Sequence, residues 1–403
     1  MSHPYDNLTV QELRAKDCMK WSKFGSDVLP LWVADMDFPI ADEIKDAIRD
    51  YLGTNNFGYP EWEGLPGLKE TATARQAERY SWRLEPDDIH IVNGIVPSLF
   101  LGVAACSSVG EDVLMHSPVY GPFMMAVEKQ QRNVIHNELK HDGTHYRIDF
   151  DALEEQVTPA TRLFMLCNPQ NPVGRVFTRS ELERLADFCL RHRLWVVSDE
   201  LHSDLVYSGH EHIPFATLSD DIAERTLTLF GPTKTFNIAG LKAGFVASKN
   251  HDLLARFKEV GFGRVGYPNV LGQAATIAAY QHGGAWLEQT LNYLEANRDF
   301  VAEFVRNEMP QVGHTSPEGT YLALLNFREL GIENAEIWAA EEAKVGLNDG
   351  AWFGPGGEGQ GRLNFATARY IVEEALGRIK RAADNTSKTS TSKTDVRPVS
   401  ASA

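Results

Sequence analysis

The sequence predicts an α/β protein, with a doubly wound, mostly parallel sheet in a large domain and a smaller α+β domain beside it. Three observations carry that reading. From about residue 65 to 280, strand-like and helix-like segments alternate at the spacing of right-handed βαβ crossovers. Two of the strand-like segments, "LWVVSDE" (194–200) and "TLTLFG" (226–231), are nearly continuous apolar runs, as parallel strands buried on both faces should be. After Gly283-Gly284 the texture changes to one long amphipathic helix followed by short strands.

The elements follow in order. "DIHIVNG" (88–94) is a short strand that ends in glycine and feeds Ile95 to Ser108, apolar and small as a buried helix would be. "DVLMHSP" (112–118) is a strand stopped by Pro118, and "RLFMLCNP" (162–169) is the next. In "ELERLADFCLRHR" (181–193), Leu182, Leu185, Phe188 and Cys189 recur at helical spacing, and Thr178 with Glu181 forms a capping box at its start. "AWLEQTLNYLEANRDFVAEFVRNEM" (285–309) is the long helix; strands around 319–327 and 361–367 and a helix over 371–383 complete the smaller domain. The expected division is therefore 1–45 as an N-terminal segment joining the small domain, 46–282 as the large domain and 283–383 as the small one. Residues 384–403 are Ser/Thr-rich with almost nothing apolar to bury, which predicts a disordered tail.

Composition narrows the class. A chain of 403 residues with 43% hydrophobic and 23% charged residues is an ordinary globular protein of two domains, or of one large domain and a satellite. Its net charge of −16 argues against a nucleic-acid surface, and no apolar run reaches the length of a membrane span. The N-terminus lacks a basic segment followed by an apolar one, so no secretory signal is expected and the cytoplasm is the expected location. Cys18, Cys106, Cys167 and Cys189 are widely spaced and expected to be reduced thiols, which deprives the sequons at Asn7 and Asn385 of meaning.

The chemistry lies at the predicted carboxyl ends of the strands, where open α/β sheets bind ligands. Strand 88–93 delivers Asn93-Gly94; strand 112–116 delivers Tyr120; strand 162–167 delivers Asn168 and Asn171; strand 194–198 delivers Asp199, Glu200 and His202; strand 226–230 delivers Thr233 and Lys234. Alone, an Asp after a strand caps a helix and an Asn-Pro pair makes a turn. Together they make a site. No Walker A, GxGxxG, HExxH or GxSxG motif is present, so phosphoryl transfer, dinucleotide, zincin and serine-hydrolase readings lose their support. His202, His210 and His212 suggest no metal, because "SGHEHIPF" reads as a surface loop. A lysine at an apolar sheet edge is different, because desolvation favours its neutral, nucleophilic amine. An aspartate for a ring nitrogen, an asparagine for a phenolic oxygen and an aromatic ring for stacking are the parts that hold pyridoxal 5′-phosphate.

"CNPQNPVGR", "VVSDELHSDL" and "PTKTFNIAGLKAG" resemble the fold-type I pyridoxal-phosphate enzymes related to aspartate aminotransferase. "LPLWVADMDFP", "FGYP" and "SPVYGPF" narrow the resemblance to the MalY/PatB group of cystathionine β-lyases, over about residues 5–382. The resemblance implies that Lys234 binds the cofactor covalently and then moves protons, and that Asp199 pairs with the protonated pyridine nitrogen. It implies that Asn171 bonds the phenolic oxygen, that Tyr120 stacks on the ring and takes part in catalysis, and that His202 stands beside the cofactor. Gly94, Ile95 and Val96 would offer backbone N–H groups to the phosphate, as a helix N-terminus can, with Thr233 and Lys242 adding side chains. Tyr59 resembles the tyrosine that reaches the phosphate of a neighbouring subunit, which implies a homodimer with shared sites; Arg362, with Asn171 and Ala34, would hold the amino-acid substrate.

Two departures matter. Gly231 stands where many relatives have serine, and Lys242, eight residues after Lys234, stands where aminotransferases often carry arginine. The second leans towards C–S cleavage. The implied reaction is β-elimination from L-cystathionine or another cysteine S-conjugate, giving a thiol, pyruvate and ammonia, with a place in methionine biosynthesis. An aminotransferase on the same scaffold and a non-catalytic regulatory protein are the alternatives.

Overall fold

The structure, a computed structural model, describes residues 3–142 and 145–394. Seven strands form the large sheet: β1 (Ile89–Val92), β2 (Asp112–Ser117), β3 (Asn133–Glu138), β4 (Thr161–Cys167), β5 (Trp195–Asp199), β6 (Thr226–Phe230) and β7 (Gly244–Ala247). Their spatial order is β1-β7-β6-β5-β4-β2-β3. The pairs β6–β5, β5–β4, β4–β2 and β2–β3 are parallel, whereas β7 runs antiparallel to both β1 and β6. The apolar runs in the sequence have a simple cause. Val113, Met115, Leu163, Met165 and Val197 enter the core on one face. The residues between them, Leu114, Phe164 and Val196, enter the core on the other. With both faces covered, alternation between polar and apolar disappears.

Helix α1 (Asp42–Gly53) precedes the sheet, α2 (Leu68–Tyr80) leads into it, and α3 (Ile95–Cys106) packs on β5, close enough that a Cβ at Gly102 would lie 2.8 Å from Val197. Helix α4 (Arg179–Arg191) starts on the expected box: Thr178 Oγ1 accepts from the Glu181 N–H and Glu181 Oε2 accepts from the Thr178 N–H. Helices α5 (Val270–His282) and α6 (Gly284–Glu308) lead to a four-stranded antiparallel sheet of β8 (Gly313–His314), β9 (Leu322–Asn326), β10 (Asn348–Asp349) and β11 (Gln360–Asn364), in the order β8-β9-β11-β10. The antiparallel β7 and the edge strand β3 have no counterpart in the sequence reading.

The segment 384–394, expected to be disordered, instead extends the last helix, α7 (Arg369–Thr394). Lys380 pairs with Asp384 one turn on, and Thr386 Oγ1 bonds the Ala382 carbonyl and receives Trp338 Nε1. The remainder of the expected tail, 395–403, lies outside the described residues. Cys106, Cys167 and Cys189 are buried free thiols and Cys18 is half-buried. Among the described residues no helix is long and apolar enough to cross a membrane.

The N-terminal segment crosses from the small sheet to the large one, and a buried ion pair holds it. Lys20 Nζ lies 2.9 Å from Asp37 Oδ2, Trp21 Nε1 donates to Asp37 Oδ1 at 2.7 Å, and Lys20 also donates to the Asp35 carbonyl. Lys20 is 1% and Asp37 3% exposed. Removing one partner strands the other charge in a dry interior. Lys20→Met is therefore expected to destabilise the protein by ~3–5 kcal/mol, read from denaturant unfolding, with part of the loss restored when Asp37→Asn is added.

Candidate active site

Each feature of the candidate site has a local reason for its place. Gly231-Pro232 ends β6, and the chain turns so that Lys234 Nζ donates to the Ala34 carbonyl at 2.5 Å. Burial pushes the Lys234 amine down to about 8; the charges of Asp35 and Asp199 resist that shift and Arg362 adds to it. Asp199 ends β5, buried, and its Oδ1 accepts the Leu201 N–H at 3.1 Å. Burial raises its carboxyl to about 7, helped by Glu200 and opposed by the Leu201 N–H and Lys234. A buried carboxylate in that condition favours a cation beside it.

Arg362 arrives from β11 of the small sheet, 2% exposed. Nη1 donates to Asn171 Oδ1 at 3.0 Å; Nη2 donates to the Trp32 carbonyl at 3.0 Å and to Asn348 Oδ1 at 3.2 Å. Its buried Nε has no protein partner among the described residues. Burial lowers the guanidinium to about 10, and its bonds among the described residues go to neutral oxygens, which leaves it receptive to a carboxylate. The bond to Asn171 Oδ1 also orients that amide, turning its NH₂ group away from Arg362 as a donor.

Tyr120 follows β2 and is half-buried, its ring edge-on to Trp352 at 5.4 Å; burial raises its phenol. His202 is buried with its ring 5.9 Å from that of Tyr321, and its Nδ1 has no partner among the described residues. Burial, then Lys234 and Arg362, push it down to about 3, so it is neutral. Gly94 adopts φ 98°, a conformation that needs glycine, and starts α3 without a side-chain cap. The first-turn N–H groups, those of Ile95 and Val96 among them, are thus left for a ligand. Thr233 is buried beside Lys234.

The structure brings Lys234, Asp199, Asn171, Arg362, Tyr120, His202 and Ala34 together. It does not bring Lys242 or Tyr59 to them. Lys242 is exposed, in left-handed conformation, at the end of the turn Ala239–Leu241, and Tyr59 is fully exposed. The reading of "SGHEHIPF" as a surface loop holds for residues 208–211, which are exposed, and fails for the rest: His212 is buried and its Nε2 lies 3.0 Å from Glu200 Oε2. Glu200 accepts as well from Ser198 Oγ and the Phe215 N–H, so a satisfied buried carboxylate backs Asp199. The sequence reading also missed Tyr321, whose hydroxyl donates to the same Ala34 carbonyl at 3.0 Å, and Asn348. Neither follows a strand of the large sheet, so no sheet-edge rule points to them.

A doubly wound sheet of this topology, with an antiparallel small domain contributing an arginine, is the type I aminotransferase fold. The chain belongs to the aminotransferase class I and II family, whose model matches residues 26–379. It is 38% identical to the cystathionine beta-lyase PatB of Bacillus subtilis over 381 residues, which is 92% of this chain and 98% of that one. The crystal structure of cystalysin from Treponema denticola, which contains a pyridoxal 5′-phosphate cofactor, is 32% identical, has a TM-score of 0.90 and covers 96% of this chain and 100% of its own. An aspartate aminotransferase of Pyrococcus abyssi is 28% identical over 362 residues, 88% of this chain and 91% of the other.

Proposed function

We propose that the protein is a pyridoxal-phosphate-dependent carbon–sulfur lyase acting on L-cystathionine or related cysteine S-conjugates. The observation that carries the reading is a half-buried lysine whose amine is brought down to about 8, in the company of a strand-end carboxylate, Asp199, and a buried arginine with an unpartnered Nε among the described residues. The residues fit the cofactor. Lys234 would hold it covalently, Asp199 would answer its ring nitrogen, and the Asn171 amide would donate to its phenolic oxygen. Tyr120 would cover the ring, His202 would stand beside it, and the N–H groups of Gly94, Ile95 and Val96 with the Thr233 hydroxyl would receive the phosphate. When bound, pyridoxal phosphate supplies the electron sink that lowers the cost of carbanion character at Cα.

The chain's own residues do the rest. Arg362 grips the substrate α-carboxylate through Nε and Nη, with Asn171 and Ala34 bounding that side. Lys234, neutral near its titration point, takes the Cα proton. The electron pair left on Cα forms the Cα–Cβ double bond as the sulfur departs with its own pair. Hydrolysis then yields pyruvate and ammonia.

Phe57, Tyr59, Trp62, Phe262 and Tyr267 are exposed. All but Phe57 line a cavity of about 720 Å³ that also contains Asn93 and Pro97, near the phosphate end of the site. That apolar surface supports a homodimer in which Tyr59 of each copy reaches the other's site. A cytoplasmic location and a role in methionine biosynthesis complete the reading. The test is pyruvate release from L-cystathionine with no keto acid added. Turnover is expected; no pyruvate, with the substrate's own 2-oxo acid formed only when a keto acid is supplied, would establish transamination instead, the activity named for the Pyrococcus relative.

A further inference from the structure

Asp35 has a backbone held from three sides and a side chain that holds nothing. Its carbonyl accepts from Lys20 Nζ at 3.0 Å and Asn364 Nδ2 at 2.7 Å, and its N–H donates to the Val33 carbonyl at 2.8 Å. Among the described residues no donor bonds its carboxylate, which is half-buried at the site. The preceding carbonyl, of Ala34, receives both Lys234 Nζ at 2.5 Å and Tyr321 Oη at 3.0 Å. A carboxylate one residue on from that carbonyl lies within Coulomb range of both groups, and its charge opposes the burial of the lysine more than that of Asp199 does. The protein thus fixes the position of an anion next to its candidate base without using the anion structurally.

We propose that Asp35 is a positioning residue for proton transfer, the counter-ion that stabilises Lys234 as an ammonium after it has taken the substrate's Cα proton. The inference rests on the lyase reading only for its kinetic consequence. In that reaction the Cα–H bond breaks, its pair becomes the Cα–Cβ double bond, and Nζ gains the proton. The Cβ–S bond breaks with its pair going to sulfur, and Nζ returns the proton to the thiolate. A proton held between those two events needs an anion beside it. Asp199 would be committed to a cationic ring nitrogen, which neutralises it, and Asp35 remains. The other charged or titratable groups around Lys234 are Arg362, which repels the ammonium, neutral His202, and the phenol of Tyr321, which shares the Ala34 carbonyl.

The test uses Asp35→Asn and Asp35→Glu in the full chain. In cofactor-free protein, the titration of Lys234 is followed by competitive acylation, with Lys234→Ala identifying the signal. Asp35→Asn is expected to lower its midpoint by about one pH unit, and Asp35→Glu to keep it near the wild-type value. In the holoenzyme, kcat of Asp35→Asn is expected to fall ~10-fold with KM within twofold. An unchanged lysine midpoint overturns the proposal, as does a raised KM with unchanged kcat, which would make Asp35 a substrate-binding group. Failure of the lyase reading would appear separately, as absence of pyruvate with a displaced midpoint still present.

Discussion

Lys234→Ala is expected to abolish turnover, lowering pyruvate formation from L-cystathionine by at least ~10³-fold. No other amine can substitute. Lys242, the nearest lysine in the chain, is exposed in a left-handed turn, and Lys20 is locked on Asp37. The variant should still fold, since among the described residues the Lys234 side chain makes one hydrogen bond, to the Ala34 carbonyl, and a methyl group leaves the turn at Gly231-Pro232 intact. Two measurements check it. Borohydride should fix the cofactor to the wild-type chain and leave it releasable from the variant. Retained turnover in the variant would remove Lys234 from the chemistry and with it the reading of the whole site.

The large-domain half of this site was legible because topology delivers it. Asn171, Asp199 and Lys234 each stand just past an apolar run, and a parallel sheet presents all such ends on one edge. Arg362, Ala34 and Tyr59 were reached through family resemblance, because nothing local marks them. The Lys234–Ala34 bond joins residues 200 apart in the chain, and Tyr321 reaches the same carbonyl from 287 residues away. Asp35 was invisible for a related reason. Its neighbourhood is made by Lys20 and Asn364, whose convergence depends on how the small domain folds back. His212 was misread because polar residues in "SGHEHIPF" suggest solvent, while a buried carboxylate at Glu200 creates an interior place for an imidazole. The antiparallel β7 escaped because a four-residue apolar segment carries no sign of its direction.

Asp199→Asn is expected to separate activity from stability, moving them in opposite directions. An amide cannot carry the negative charge that keeps a ring nitrogen protonated, so turnover should fall by ~10³-fold while Lys234 still binds the cofactor. In the cofactor-free protein the same carboxylate is a burden. Its folded value is raised from 3.8 to about 7, so the folded state binds the proton more tightly than the unfolded chain. That contribution is full below pH ~4 and is lost as the pH rises through 7, because the native state must then bury an anion. Asparagine removes the loss. The cofactor-free variant should match wild type near pH 4 and exceed it at pH 8 by roughly 4 kcal/mol, read from denaturant midpoints at the two pH values. Equal stability at pH 8 would mean the anion already has a partner. The physical point is that Glu200, satisfied by Ser198, Phe215 and His212, cannot relieve its neighbour. Asp199 is left needing a cation from outside the chain, and a protonated pyridine nitrogen is the one that both the fold and the family supply.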